Sequence, residues 1–404
     1  MKLLLQLAIA VYVLNGAYAQ TENFWTKKAD FGGLKRERAV AFTIGDYGYV
    51  GTGVDTSETV LKDFWQYDPI MDTWTQVATL PGSQRRNAIA FAINGFGYVG
   101  TGMNTPTATE FGANTLDDFW QYDPALNSWT TKASFPGATG SGIYFATGVS
   151  IGAKGYICGG KRGPNNYVAE FWEYDPATDS WAQLPNFPGG VRYQLNSFAA
   201  AQKGYFGFGT DQDIYRKDIW EYDPATNQWT QKLDFPASER SALSTFTLGD
   251  RGYVCLGGNG GLLGDLWQYN PYNDSWSVKA DYGGSNRKNA IAFAVNGKAY
   301  VGTGKGYSGK KASMYEYTPN TVLGVNDYEI SVAVYPNPSS DFINLKYEAQ
   351  RVQTIQLFSM TGQKLFEGES VKQIDIREFH SGNYILVAKQ NGGSIVAQQN
   401  IIIQ

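Results

Sequence analysis

One hexapeptide pattern recurs six times along the chain. It reads Phe64–Pro69, Phe119–Pro124, Phe171–Pro176, Ile219–Pro224, Leu266–Pro271 and Met314–Pro319. In the first five copies the second residue is Trp, and another Trp follows nine residues later: Trp65/Trp74, Trp120/Trp129, Trp172/Trp181, Trp220/Trp229 and Trp267/Trp276. The sixth copy has Tyr315 at that place, and nine residues on stands Gly324. The missing Trp is found at the other end, as Trp25 in Phe24-Trp25-Thr26-Lys27-Lys28. All eleven tryptophans therefore belong to one pattern. Five repeats are complete, and the sixth is divided between the two ends of the array. A ring closed by the N-terminal segment accounts for the division, because pairing that segment with the last repeat removes the open edges of a linear array.

Each repeat carries four strand signals separated by turn residues. In the first, Ala39 to Ile44 is an apolar inner strand and Gly45 to Gly48 a tight turn. Tyr49 to Gly53, Phe64 to Tyr67 and Trp74 to Val77 supply the other three. Trp65 and Tyr67 alternate onto one face of the sheet, where a large aromatic buries about 150–250 Å² against the next repeat. The repeat tyrosines stand at 67, 122, 174, 222, 269 and 317, a period close to 50 residues. The 47 glycines show no collagen-like period and serve the turns of an all-β chain.

The glycine pairs Gly159-Gly160 and Gly257-Gly258, the Tyr-Asp-Pro corner and the terminal Trp together resemble the kelch family. The resemblance covers residues 20–320 and implies a six-bladed β-propeller. Several repeats depart from it by reading Gly-Thr-Gly or Gly-Phe-Gly in place of a strict glycine pair.

The ends have their own character. Lys2, the apolar run Leu3 to Leu14 and Ala17-Tyr18-Ala19 read as a signal peptide over residues 1–19. After a linker at 321–330, residues 331–404 show six or seven short strand signals, expected to form a small immunoglobulin-like β-sandwich. Val334 to Pro338, Leu357 to Gly362 and Gly382-Asn383-Tyr384 resemble the type A C-terminal sorting domain of the type IX (Por) secretion system. The resemblance implies the type IX secretion machinery as partner and a secreted protein. Its place would be extracellular or at the outer-membrane surface, after removal of the signal peptide and sorting domain. Members of that family often end in a basic residue, whereas this chain ends Ile403-Gln404.

Composition excludes several chemistries. The single histidine, His380, lies in the C-terminal region, so the repeats cannot build a Ser-His-Asp triad or a His-ligated zinc or copper. No phosphate loop or EF-hand is present, and Asp211-Gln212-Asp213 alone does not make a calcium loop. No cofactor or metal is expected. A net charge of -4 argues against nucleic acid as partner. No later segment is long and apolar enough to cross a membrane. Cys158 and Cys255 occupy equivalent places in non-neighbouring repeats and are expected to be free thiols.

In such a ring the long connections gather on one face, the largest being Val54 to Lys62, Met103 to Asp117 and Lys161 to Glu170. Recognition is expected there. Arg36, Arg85, Arg192, Arg240 and Arg287 each precede the second-strand tyrosine of their repeat by 13 residues, and the third repeat has Ile143 instead. Five guanidinium groups at the mouth of a central channel would suit a carboxylate, a sulfate or an acidic sugar. The same pattern also suits pairing with loop carboxylates inside the scaffold. Tyr193 and Tyr215, with Tyr144 and Tyr307, are candidates for stacking on a glycan. The leading expectation is a binding module for a protein or glycan. The alternative is a metal-independent enzyme on acidic sugars, like the kelch-type sialic acid mutarotases, with Glu58, Glu110 and Glu170 as candidate acid/base groups.

Overall fold

The computed structural model describes residues 23–105, 115–136, 142–212, 214–319, 332–347, 352–359, 363–389 and 395–404. The segments read as signal peptide and linker, Glu110, Asp213 and part of the Leu357 to Gly362 motif lie outside the described residues. All regular structure among the described residues is strand, in two compact units.

The first unit holds six four-stranded antiparallel sheets. From the axis outward, blade one is Val40–Ile44, Tyr47–Gly51, Phe64–Asp68 and Thr73–Val77. Blades two to five follow in chain order, their innermost strands Ile89–Ile93, Thr147–Ile151, Asn196–Ala200 and Ser244–Leu248. Blade six takes Ile291–Val295, Lys298–Gly302 and Met314–Thr318 from one end of the array and Phe24–Lys28 from the other. Trp25 stands opposite Tyr317, as the divided repeat predicts. The six innermost strands neighbour one another in turn, the last against the first.

The aromatic motif joins blades as well as filling them. The outer Trp129 of blade two donates from Nε1 to the carbonyl of Ala78, which follows blade one, at 2.8 Å. The N–H of Ala78 donates in turn to Asn127 Oδ1 of blade two at 2.8 Å. Asn127 sits at a φ of 45°, a left-handed turn that Asn and Asp tolerate, and Tyr122 Oη donates to the same oxygen. Ala133 with Trp181 and Asp179, and Leu233 with Trp276 and Asp274, repeat this clamp. After blade three the clamped residue is Pro185, which has no N–H, and only the Trp229 bond is made.

Close approach sets another rule. Gly48 of blade one lies under the Phe293 ring of blade six, and Gly252 of blade five under the Phe198 ring of blade four. A Cβ on Gly252 would lie 2.0 Å from Phe198 Cε2, too near for a packed ring to yield. Gly252→Ala is therefore expected to cost about 1–3 kcal/mol through overpacking, read as a lower midpoint in urea. An unchanged midpoint would mean that the blades slide apart freely.

The second unit is a two-sheet sandwich. Ala333–Tyr335, Phe342–Lys346 and Gln373–Asp375 form one sheet. Lys364–Glu369, Thr354–Ser359, Gly382–Lys389 and Ile395–Ile403 form the other. Val334, Ile343 and Ile374 of the first sheet share a buried core with Ile355, Leu386 and Ile401 of the second. The strand Lys364–Glu369 carries no turn-bounded β-branched run and is absent from the sequence expectation.

Candidate functional site at the channel mouth

The five repeat arginines are buried in the scaffold, which corrects their expected place at the channel mouth. Arg36 is wholly buried: Nη1 and Nη2 donate to Asp63 Oδ1 and Oδ2 at 2.7 and 2.8 Å, and Nη1 also reaches the carbonyl of Thr52. Arg240 repeats this with Asp265 and Leu256, and Arg192 with Asp218 and Phe208. Arg85 pairs with Asp118 at 2.6 Å and with the Thr101 carbonyl. Thr52, Thr101, Phe208 and Leu256 all have positive φ, so each arginine fastens the left-handed turn at which the second strand ends. Rings of Phe31, Phe187 and Phe235 lie 4.7–5.0 Å from the guanidinium carbons of Arg36, Arg192 and Arg240. Arg36, Arg85, Arg192 and Arg240 thus turn their charge to scaffold carboxylates inside the fold.

The carboxylate partner is the residue two before the third-strand Trp, and it accepts from that indole as well: Trp65 Nε1 donates to Asp63 at 2.8 Å and Trp267 Nε1 to Asp265 at 2.8 Å. Burial works to raise the pKa of Asp63 and Asp265, but bonds and charge from Arg36 and Arg240, with the indoles, outweigh it and hold both below the ordinary value. In blade three, where Ile143 replaces the arginine, Arg162 reaches in from the loop. It grips Glu170 with two bonds of 2.8 and 2.6 Å and lies over Phe135. Blade six has Ser313 in place of the carboxylate, and Arg287 takes its hydroxyl and carbonyl.

The mouth itself is built two residues later. Arg38, Asn87, Phe145, Gln194, Ala242 and Asn289 open the six innermost strands, and all six have φ between 52° and 59°. Backbone bonds run around this ring: Arg38 N–H to Asn289, Asn87 to Arg38, Phe145 to Asn87, Gln194 to Phe145 and Asn289 to Ala242, at 2.9–3.3 Å. They enclose a cavity of about 140 Å³ lined by Arg38, Asn87, Phe145, Gln194 and Asn289. Below it, small residues such as Ala41, Ala90, Gly148 and Ala292 line a further 220 Å³ of the channel.

The surroundings of the mouth are chemically uneven. Toward blades one to four stand Arg38, Arg86 and Lys161 with Tyr144, Phe145, Tyr167 and Tyr193. Arg86 is buried, and its Nε donates to the Thr105 carbonyl at 2.6 Å. Burial and then the charge of Arg38 bring its pKa down to about 10, against the opposing pull of Glu37 and Glu58. Lys161 Nζ sits 4.7 Å from the Tyr167 ring and 4.8 Å from that of Tyr193, and burial lowers its pKa. Tyr193 also meets Phe145 and Tyr167 at 5.6 and 5.3 Å. Toward blade six, Lys310 Nζ donates to Glu58 Oε1 and to the Asp55 carbonyl, each at 2.6 Å.

Among the candidates from sequence, Tyr193 alone joins this constellation with Tyr144. Tyr215 is half-buried in the short hairpin of Thr210–Asp211 and Ile214–Tyr215, and exposed Tyr307 accepts the Leu262 N–H. Glu58 and Glu170 are ion-paired. Cys158 and Cys255 are free and buried. Arg38, Arg86 and Lys161 are missing from the sequence expectation. Their signal is variability: the residue after the repeat arginine changes as Glu37, Arg86, Tyr193, Ser241 and Lys288.

Comparison with known proteins agrees with this architecture. Residues 111–258 match the KLHDC2/KLHL20/DRC7 kelch-repeats domain, and residues 333–404 match the secretion system C-terminal sorting domain. An F-box/kelch-repeat protein of Arabidopsis thaliana is 35% identical over 79 residues, 19% of this chain and 16% of that protein. The solved structure of YjhT superposes with a TM-score of 0.61 at 16% identity, over 73% of this chain and 98% of YjhT. That likeness speaks for the fold alone. The chain carries a kelch-repeat propeller followed by a secretion system C-terminal sorting domain, which implies export through the type IX route.

Proposed function

We propose that this protein acts outside the cell as a binding module, taking a protein or glycan ligand on the loop-rich face of the propeller. In this reading residues 1–19 are removed on export, residues 20–320 form the working part, 321–330 link it to the tail, and 331–404 engage the type IX machinery before their own removal. The observation that carries the reading is the contrast between two neighbouring rings. The repeat arginines are consumed alike by the scaffold, while the mouth presents a different side chain on nearly every blade: Arg38, Asn87, Phe145, Gln194, Ala242 and Asn289. A rigid frame with an individual rim suits recognition.

An enzyme on acidic sugars would need a carboxylate free to exchange a proton. Glu37 is buried beside the mouth, but its Oε2 accepts from Asn289 Nδ2 at 2.7 Å and its Oε1 lies 4.0 Å from Lys310. Glu58 and Glu170 are likewise engaged, which favours binding over turnover. The test is a glycan array with the full-length protein. A discrete set of glycans is expected to be retained, and Phe145→Ala with Gln194→Ala to abolish retention without lowering the melting temperature. Retention untouched by that pair would remove the site from the mouth. Chemical change in a retained sugar would make the protein an enzyme.

A further inference from the structure

We propose that the channel mouth between blades one and two is an anion site, built for a carboxylate or sulfate group carried on a sugar ring. The inference rests on the binding-module reading and supplies its ligand chemistry. Three buried nitrogen donors around this mouth have no acceptor: Arg38 Nε, Arg86 Nη2 and Asn87 Nδ2. Arg38 and Asn87 hold consecutive positions of the ring on adjacent blades and line its cavity, and Arg86 immediately precedes Asn87 in the chain. The nearest carboxylate oxygen to Arg38 Nε is Glu37 Oε2, at 3.7 Å, beyond hydrogen-bond reach. Arg86 is only 2% exposed, so bulk solvent does not reach its guanidinium. Buried polar groups are nearly always satisfied, and orphan donors gathered at one mouth mark a place for an acceptor brought from outside.

Size and surroundings narrow the ligand. The mouth offers about 140 Å³ of open space. It admits an anionic head group and leaves the carrier above it, on the loop face. There the half-buried rings of Phe145, Tyr193 and Tyr167 run in contact from the mouth outward. Arg38 lies 5.3 Å from the Phe145 ring, and the Lys161 charge adds to the attraction. A pyranose, with one apolar face to lay on an aromatic and one charged substituent to lower into the mouth, fits both halves.

The experiment is calorimetric titration of the full-length protein with four probes: galactose, galacturonic acid, galactose 6-sulfate and acetate. The three sugars share one ring and differ at the sixth carbon. At least one acidic sugar is expected to bind ten times more tightly than galactose, and more tightly than acetate. The preference between carboxylate and sulfate then identifies the natural group. Arg86→Met is expected to weaken that binding at least tenfold and to raise the melting temperature, because it removes a buried cation that the fold alone leaves unpaired. A lower melting temperature would mean that the fold itself satisfies Arg86, and would overturn the proposal. So would equal affinity for galactose and its acids, or unchanged affinity in Arg86→Met. Arg38→Gln, at a half-buried position, gives an independent arm and is also expected to lose tenfold. If the acids show no advantage while a neutral glycan still needs Phe145 and Gln194, the anion site falls and the binding module stands.

Discussion

Asp265→Ala is expected to destabilise the propeller by about 3–5 kcal/mol, the cost of leaving a buried charge without its partner. Arg240 is 1% exposed, its Nη1 and Nη2 bond Asp265 at 2.6 and 2.8 Å, and among the described residues no other carboxylate is paired with it. The variant also strips Trp267 Nε1 of its acceptor. Arg240→Met should cost less, since it exchanges the cation for an apolar chain over Phe235 and leaves Asp265, a quarter exposed, to water. The order of the two variants is the diagnostic result, read from urea midpoints at pH 7. A milder Asp265→Ala would mean that the guanidinium is solvated after all. The pH dependence follows from the sign of the shift. The folded pKa of Asp265 lies below its ordinary value, so its contribution is complete above about pH 4 and fades as pH falls through the folded value. Asp63 and Glu170 are shifted in the same direction, Glu170 because Arg162 and Trp172 outweigh its burial. Wild-type stability should fall steeply below pH 4, and the Asp265→Ala variant should fall less.

Much of this scaffold was legible because its parts repeat. A side chain that recurs in every copy can only be serving what every copy does, and the Trp pairs, corner tyrosines and repeat arginines all proved to be joints between strands or blades. The sequence even held the partners of the arginines. Asp63, Asp118, Asp218 and Asp265 each stand two residues before a third-strand Trp. Where that Trp is Tyr315, with no indole N–H to donate, the carboxylate is Ser313. Where the arginine is Ile143, the carboxylate is Glu170, met by Arg162. Another coupled exchange went unread: Glu173, Glu221 and Glu316 are met by Lys154, Lys203 and Lys298, whereas blades with Gln66, Gln121 and Gln268 carry Tyr47, Phe96 and Arg251 at the place of that lysine.

The mouth was harder to find for the opposite reason. Arg38, Arg86 and Lys161 lie at positions that differ between copies, so no pattern marks them. What unites them is the convergence of six strands on one axis, which only coordinates supply. The repeat arginines misled by being regular. Five cations in register suggested a ring around a ligand, but a group needed identically by five blades is engaged within each blade.

Deleting residues 23–28 is expected to abolish cooperative unfolding of the propeller and to make it aggregate. The deletion takes the outer strand from blade six, exposing the backbone edge of Met314–Thr318 to pairing with other chains. It also removes Trp25, whose Nε1 donates to the Ala280 carbonyl at 2.9 Å and whose ring meets Tyr282 and Tyr317 at 5.0 and 5.1 Å. Trp25→Ala alone, which keeps the strand, should cost about 3 kcal/mol and leave a cooperative transition. The gap between the two variants measures the backbone contribution to closure. A permuted chain separates closure from mere loss of residues. Moving 23–30 to follow Pro319 through a two-residue turn makes blade six continuous, like the other five, and restores a Trp nine residues after Tyr315. That chain should melt near the parent temperature, since an unbroken blade offers the same pairing with less entropy to lose. If the permuted chain were as unstable as the deletion, the N-terminal strand would be holding something other than the ring.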